Sequence, residues 1–259
     1  MLYIGTSGWA YPEWRAEAGR QGKKGRPGFY PAGMGPSRFL QHYASVLNAC
    51  EINRTFYGLC SETAVSTWAR TTPEGFRFTA KAHRRLTHTI RISERARRDF
   101  IGEFTATLQP LGPRLAGLLW QFPPTRERDD DLLGSLLGAL PAGVTSAFEF
   151  RHETWDAPEV DEALAAAGAV RCLSEEEGKV PASLPGGDLG YVRLRADRYG
   201  RRERTAWLEL LGAEAAHRDV FAFTKHRDVA PDDPFGGVGL ARWLRDRSPN
   251  ARSSVPRDG

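Results

Sequence analysis

The chain has 259 residues, 41% hydrophobic and 26% charged, and its 36 basic and 32 acidic side chains give a formal net charge of +4. A chain of this length can bury a core without cross-links. Three scattered cysteines, Cys50, Cys60 and Cys172, with no CxxC spacing argue against a disulfide framework and against a zinc ribbon. No apolar run reaches the roughly 18 residues of a membrane span. The start, Met1-Leu2-Tyr3-Ile4-Gly5, enters structure without a basic leader, so the expected location is the cytoplasm.

In chain order, residues 2–4 read as a short strand stopped by Gly5-Thr6-Ser7-Gly8. Residues 9–35, rich in Gly, Pro and aromatics, form a long loop. Trp9, Tyr11, Trp14, Phe29 and Tyr30 there can pack as a lid or stack on bases or sugars. A helix over 36–47 carries Phe39, Leu40, Tyr43 and Leu47 on one face. The strand over 47–52 follows, and it is unusual in placing Glu51 on an apolar run. A buried carboxylate costs several kcal/mol unless it is paired or hydrogen-bonded, so Glu51 either neutralises a buried base or faces a pocket.

A helix over 61–72 ends at Pro73, and a strand over 76–81 ends at Lys81. Residues 92–108 are helical, 116–120 form a continuous apolar strand closed by Gln121-Phe122-Pro123-Pro124, and 129–140 are helical. A strand over 144–150 ends in Glu149, Arg151 and His152. The helix over 158–167 starts at a proline, where a missing N–H does no harm. Strands over 169–173 and 189–194, a helix over 203–211, a strand over 220–223 and a helix over 238–244 complete the pattern. Strands alternating with helical segments imply a parallel sheet covered by helices, and eight such units in this length match a single (β/α)8 TIM barrel over residues 1–247. The tail, 248–259, reads as disordered.

In such a barrel the working groups stand at the C-terminal ends of the strands. Glu51, Asn53, Lys81, His83, His88, Gln121, Glu149, Arg151, His152, Arg193 and Arg195 all fall there, at or just past the ends of five separate strands that must converge. Two arginine runs, Arg84, Arg85, Arg91, Arg95, Arg97 and Arg98 against Glu94, then Arg193, Arg195, Arg198, Arg201, Arg202 and Arg204 against Asp197 and Glu203, should flank the same mouth. Guanidinium groups bind phosphate in two-pronged fashion, and clusters of them attract polyanions. The alternative is that these arginines line solvated helix faces. His83, His88, His152, Glu51 and Glu149 are metal-ligand types, but no HxH or HExxH spacing occurs, and Lys81 and Arg151 would repel a cation. No metal ligand is assigned, and the cofactor question, a divalent metal included, stays open. Gly237-Val238-Gly239 opens the last helix, but Arg242 replaces the third glycine of a dinucleotide fingerprint. The signal is weak, though that helix start could hold a phosphate.

Several segments together resemble the DUF72 (YecE-like) family. They are Ile4-Gly5-Thr6-Ser7-Gly8-Trp9, Phe29-Tyr30-Pro31, Glu51-Ile52-Asn53-Arg54-Thr55-Phe56-Tyr57, Phe76-Arg77-Phe78-Thr79-Ala80-Lys81, Leu86-Thr87-His88, Gln121-Phe122-Pro123-Pro124, Phe148-Glu149-Phe150-Arg151-His152 with Trp155, and Tyr191-Val192-Arg193-Leu194. The resemblance implies a TIM barrel and supplies no settled activity. The chain departs from the family pattern at Arg195-Ala196, where His-Gly is usual, at Ser174-Glu175, where an Asp is common, and at Thr224-Lys225-His226, where asparagines are common.

The functional expectation is an enzyme, of hydrolase or phosphoester-cleaving type, acting on a phosphate-bearing small molecule or nucleic acid. Glu51, Lys81, His88, Glu149 and His152 are its candidate catalytic residues. Asn53, Tyr57, Gln121, Arg151, Trp155 and Arg193 are its candidate substrate-binding residues. The alternatives are a binding module for nucleic acid or a small anion, and a barrel mouth that serves a protein partner.

Overall fold

The computed structural model describes residues 1–17, 25–89, 92–225, 230–249 and 251. Eight strands alternate with helices: β1 (Leu2–Thr6), α1 (Phe39–Val46), β2 (Ala49–Ile52), α2 (Glu62–Thr71), β3 (Arg77–Lys81), α3 (Arg84–Thr87), α4 (Glu94–Ala106), β4 (Leu115–Gln121), α5 (Asp130–Leu137), β5 (Thr145–Glu149), α6 (Pro158–Ala166), β6 (Val170–Glu175), β7 (Leu189–Leu194), α7 (Arg201–Glu214), β8 (Asp219–Thr224) and α8 (Gly237–Arg247). Helix starts are fixed locally. Ser61, Ser93 and Asp129 each accept a hydrogen bond from a first-turn N–H of α2, α4 and α5, satisfying a donor that the helix itself leaves free.

The strands run in the order β1-β8-β7-β6-β5-β4-β3-β2, and every paired neighbour is parallel. This is the expected (β/α)8 TIM barrel. Successive side chains on a strand point to opposite faces, and the barrel sorts them accordingly. Tyr3, Ala49, Leu119, Ala147, Cys172, Tyr191, Phe221 and Phe223 fill the interior as one apolar cluster. Their neighbours Leu2, Ile4, Cys50, Ile52, Phe78, Leu118, Phe148, Val192 and Ala222 face the helices in the main core.

The ring closes in an unusual way. Among the described residues no backbone ladder joins β1 to β2. Instead the Asn48 side chain accepts from Ile4 N at 2.7 Å and donates to Leu2 O at 3.0 Å. Tyr43 Oη accepts from Thr6 N at 2.8 Å and donates to Ala49 O at 3.0 Å. The strands approach so closely that a Cβ on Gly5 would lie 2.0 Å from Ala49 O. Asn48→Ala leaves a buried backbone donor and acceptor without partners. That should cost about 2 kcal/mol or more, read as a lower urea midpoint with an unchanged slope.

The sequence pattern put a helical segment after every strand. The β6–β7 connection, residues 176–188, has none among the described residues. Pro181 and Pro185 lack the N–H that a helix needs. Gly178 (φ +79°) and Gly187 (φ +119°) hold backbone angles that no helix uses. Of the tail read as disordered, Ser248 and Ala251 are buried. Residues 250 and 252–259 lie outside the described residues.

Candidate functional site

Period two carries the inner face of each strand upward from the apolar layer to its C-terminal end. One step above Ala49 stands Glu51, above Leu119 Gln121, above Ala147 Glu149, above Tyr191 Arg193. Thr79 is likewise followed by Lys81. These ends meet. Arg193 donates through Nη2 to Glu51 Oε1 at 2.8 Å and through Nη1 to Glu149 Oε2 at 2.5 Å. Arg193 is 2% exposed and both carboxylates are 0% exposed, so this is an ion triad fully out of water. Tyr191 Oη donates to Glu51 Oε2 at 2.9 Å, with Thr79 Oγ1 2.8 Å away from the same hydroxyl. Gln121 Nε2 and Arg151 Nε donate to Glu149 Oε1 at 2.8 and 2.7 Å. Because Nε2 of Gln121 is committed to Glu149, its Oε1 is turned toward Lys81 and accepts from Nζ at 2.5 Å.

Above this network lies a cavity of about 370 Å³ lined by Tyr11, Asn53, Arg54, Phe56, Tyr57, Lys81, Gln121, Arg151, Arg193 and Arg195. The lining is cationic, and the carboxylates beneath it are saturated. Arg151 pairs with Glu149 and more loosely, at 3.6 Å, with Glu176. Among the described residues neither Lys81 nor Arg195 has a carboxylate within ion-pair distance. Lys81 Nζ also sits 3.8 Å from the centroid of the Phe56 ring. Two polar atoms of lining residues, Arg193 Nε and Asn53 Oδ1, are themselves buried and, among the described residues, have no hydrogen-bond partner. Tyr57 stands at the lip, 71% exposed, edge-on to Phe56. A wider groove of about 780 Å³ between the ends of β5 and β6 adjoins the cavity through Arg151.

The charges shape one another. Burial, with Arg193 alongside, lowers Lys81 to about 8 against the opposing pull of Glu51 and Glu149. Burial would raise Glu149, but Arg193, Arg151 and the bonds from Arg151 and Gln121 outweigh it and hold the carboxyl at about 2. Burial and the nearby cations Lys81, Arg126 and Arg151 lower His88 to about 4. At neutral pH Glu149 is therefore an anion and His88 a neutral ring, while Lys81 exchanges its proton close to physiological pH.

The remaining candidates separate. His88 stacks edge-on against Phe56 behind the wall, and His83 caps α3 by accepting from Arg85 N. Neither His152 nor Trp155 lines the cavity. His152 Nδ1 binds the Thr154 hydroxyl and accepts from the Thr154 N–H, capping a short turn. Trp155 is fully buried, donates to Arg126 O and stacks on Phe150. Beyond Glu149 the chain is no longer a strand, so period two stops placing side chains there.

The arginine runs do not form one patch either. Arg97 is buried and bonds Ser135 Oγ, and Arg95 and Arg98 pair along α4 with Asp99 and Glu94. Arg198 pairs with Asp233, and Arg204 lies over Phe235 and Trp243. Only Arg193 and Arg195 of the second run reach the cavity, and Arg91 lies outside the described residues. In the first loop Trp14, Phe29 and Tyr30 are buried against one another, whereas Tyr11 lines the cavity. At the remaining departures, Thr224 Oγ1 donates to Gly237 O, Ser174 Oγ is buried without a partner among the described residues, and His226 lies outside the described residues. Gly239 packs so close to Asp233 that a Cβ would lie 2.2 Å from its carbonyl oxygen, which gives that glycine a packing role. Among the described residues no group of three or more His, Cys, Asp or Glu side chains is placed to hold a metal ion, and no helix is long and apolar enough to cross a membrane.

The profile described as "Protein of unknown function DUF72" matches residues 3–257. The chain belongs to the DUF72 family. It is 26% identical over 227 residues to the UPF0759 protein YunF of Bacillus subtilis (strain 168), covering 81% of this chain and 73% of that one. The crystal structure of a DUF72 family protein from Thermotoga maritima MSB8 superposes with a TM-score of 0.74 at 23% identity, over 95% of this chain and 98% of the other. A second, from Enterococcus faecalis V583, gives 0.62 at 19% identity over 80% and 92%. These likenesses carry the DUF72 barrel fold and name no activity.

Sequence reasoning left Arg54, Phe56 and Tyr191 unassigned, named Tyr11 only as a lid or stacking aromatic, and put Arg195 at the mouth without giving it a binding role. For Tyr191 and Arg195 the signal was present, since both stand two residues from Arg193 on the same inner face. For Tyr11 the aromatic-rich loop was a signal, but an irregular loop has no period that could place it at the cavity.

Proposed function

We propose that this DUF72 barrel binds the phosphate group of a small molecule at its mouth and acts on it there. The observation that carries the reading is the cavity wall of Arg54, Lys81, Arg151, Arg193 and Arg195, set over carboxylates whose oxygens already accept from protein donors. Such a wall presents cations held in place before the ligand arrives, the arrangement that best stabilises negative charge developing in a transition state. Lys81 is the group suited to move a proton near neutral pH. Glu149, held as an anion, orients Gln121, Arg151 and Arg193. The scatter of the outer arginines favours a small ligand over a nucleic acid.

A second reading, binding without turnover, is favoured by that same saturation, because neither carboxylate is left as a free base. Calorimetric titration with inorganic phosphate and with phosphate monoesters, followed by assay for released phosphate, separates the two. Arg195→Ala should weaken phosphate binding about tenfold, equivalent to about 1.4 kcal/mol, with the fold unchanged by circular dichroism. Unaltered affinity in this variant, or no phosphate binding at low salt, sinks the assignment.

A further inference from the structure

Only five of the 36 basic residues are lysines: Lys23, Lys24, Lys81, Lys179 and Lys225. At the end of β3, among guanidinium groups, a chain so inclined to arginine carries Lys81. Arginine would supply the charge and a wider fork of donors. What lysine adds is an amine that can lose its proton and attack.

We propose that Lys81 Nζ forms an imine with the carbonyl carbon of an anionic aldehyde or ketone seated in the cavity. This rests on the reading of the mouth as an anion site. The unprotonated amine adds to the carbonyl carbon, and the carbonyl oxygen takes up a proton to give a carbinolamine. That hydroxyl then leaves as water and the nitrogen lone pair closes the C=N bond. Ammonium plus carbonyl thus becomes iminium plus water, with no oxidant or reductant.

The surroundings suit each stage. Lys81 is 9% exposed and among the described residues has no carboxylate at ion-pair distance, while Arg193 and Arg151 stand close enough to disfavour its charge. Burial beside other cations is the way an amine is kept reactive at neutral pH. After reaction the iminium retains one N–H and a positive charge. Gln121 Oε1, turned toward Nζ by the bond from Gln121 Nε2 to Glu149, accepts that N–H, and the Phe56 face 3.8 Å away takes the charge. The anionic end of the ligand has Arg195 and Arg54, both on the cavity lining, to bind. A cavity of about 370 Å³ admits a carbonyl compound of a few carbons carrying a phosphate or carboxylate.

The test is reductive trapping on the full chain. The protein is incubated at pH 8 with glyoxylate and cyanoborohydride, and in parallel with acetaldehyde, and each lysine is followed by peptide mass mapping. Lys81 should be modified at least about tenfold faster than the exposed Lys179, because an ordinary lysine is only about 0.4 per cent neutral at that pH. Inorganic phosphate should slow the glyoxylate reaction, and Lys81→Arg should remove the fast site while the protein stays folded. The imine proposal is overturned if Lys81 reacts no faster than Lys179 with either aldehyde, an outcome that leaves phosphate binding intact. Equal rates with glyoxylate and acetaldehyde, unprotected by phosphate, would uphold the imine and remove the anion reading.

Discussion

Replacing Arg193 with methionine should destabilise the barrel by about 3–5 kcal/mol, more than any single change on the rim. Arg193 carries the one positive charge shared by two fully buried carboxylates. Removing one member of such a set leaves charge out of water without compensation, and that penalty exceeds what the assembled group contributes. Lysine is no substitute, because a point charge cannot bridge Glu51 and Glu149 as two guanidinium nitrogens do. The diagnosis is testable by rescue. Adding Glu51→Gln and Glu149→Gln to Arg193→Met removes the stranded charges and should recover a large part of the loss in urea denaturation. If the triple variant is no more stable than the single one, the loss comes from packing, and the electrostatic account of the triad fails.

That triad also shows what could be read from sequence and what could not. Glu51, Lys81, Gln121, Glu149, Arg151 and Arg193 stand on or just beyond strand ends. The rule that alternate residues share a face, joined to the closure of eight parallel strands, suffices to bring all but Arg151 to one opening, and Arg151, two residues past β5, is held there by its bond to Glu149. His152 follows Arg151 directly and Trp155 lies six residues past β5, where the chain has left the sheet, and a local cap and an aromatic stack hold them. The helical arginines scatter because a period of 3.6 residues carries a linear run around the helix, so Arg97 turns inward while Arg95 and Arg98 face solvent. Asn48 was invisible as a structural residue. Its role arises where β1 and β2 fail to form a ladder, a fact of barrel closure that no local pattern encodes. The missing helix between β6 and β7 was legible in principle, since Gly178, Pro181, Pro185 and Gly187 oppose one, but counting units from neighbouring strands overrode that composition.

The second large effect is acid sensitivity centred on Glu149. Its carboxyl is held at about 2 in the folded protein against an ordinary 4.5, the guanidinium charges of Arg193 and Arg151 outweighing the cost of burial. A lowered folded-state pKa means that the unfolded chain binds the proton more readily. The stabilisation is therefore complete above pH 4.5 and is lost as pH falls toward 2. The difference corresponds to about 3 kcal/mol at neutral pH. Glu149→Gln lacks this contribution at every pH and leaves Arg151 and Arg193 short of an anion. It should be less stable than the natural protein by about 3 kcal/mol at pH 7, and the gap should narrow steadily below pH 4.5 in urea denaturation series. Carboxylates elsewhere titrate in both proteins and cancel in the comparison, so the narrowing reports this site. A gap that stays constant from pH 7 to pH 3 would mean that the Glu149 charge is not what Arg193 and Arg151 stabilise, and the cavity wall would then lose the buried anion proposed to hold its cations in place.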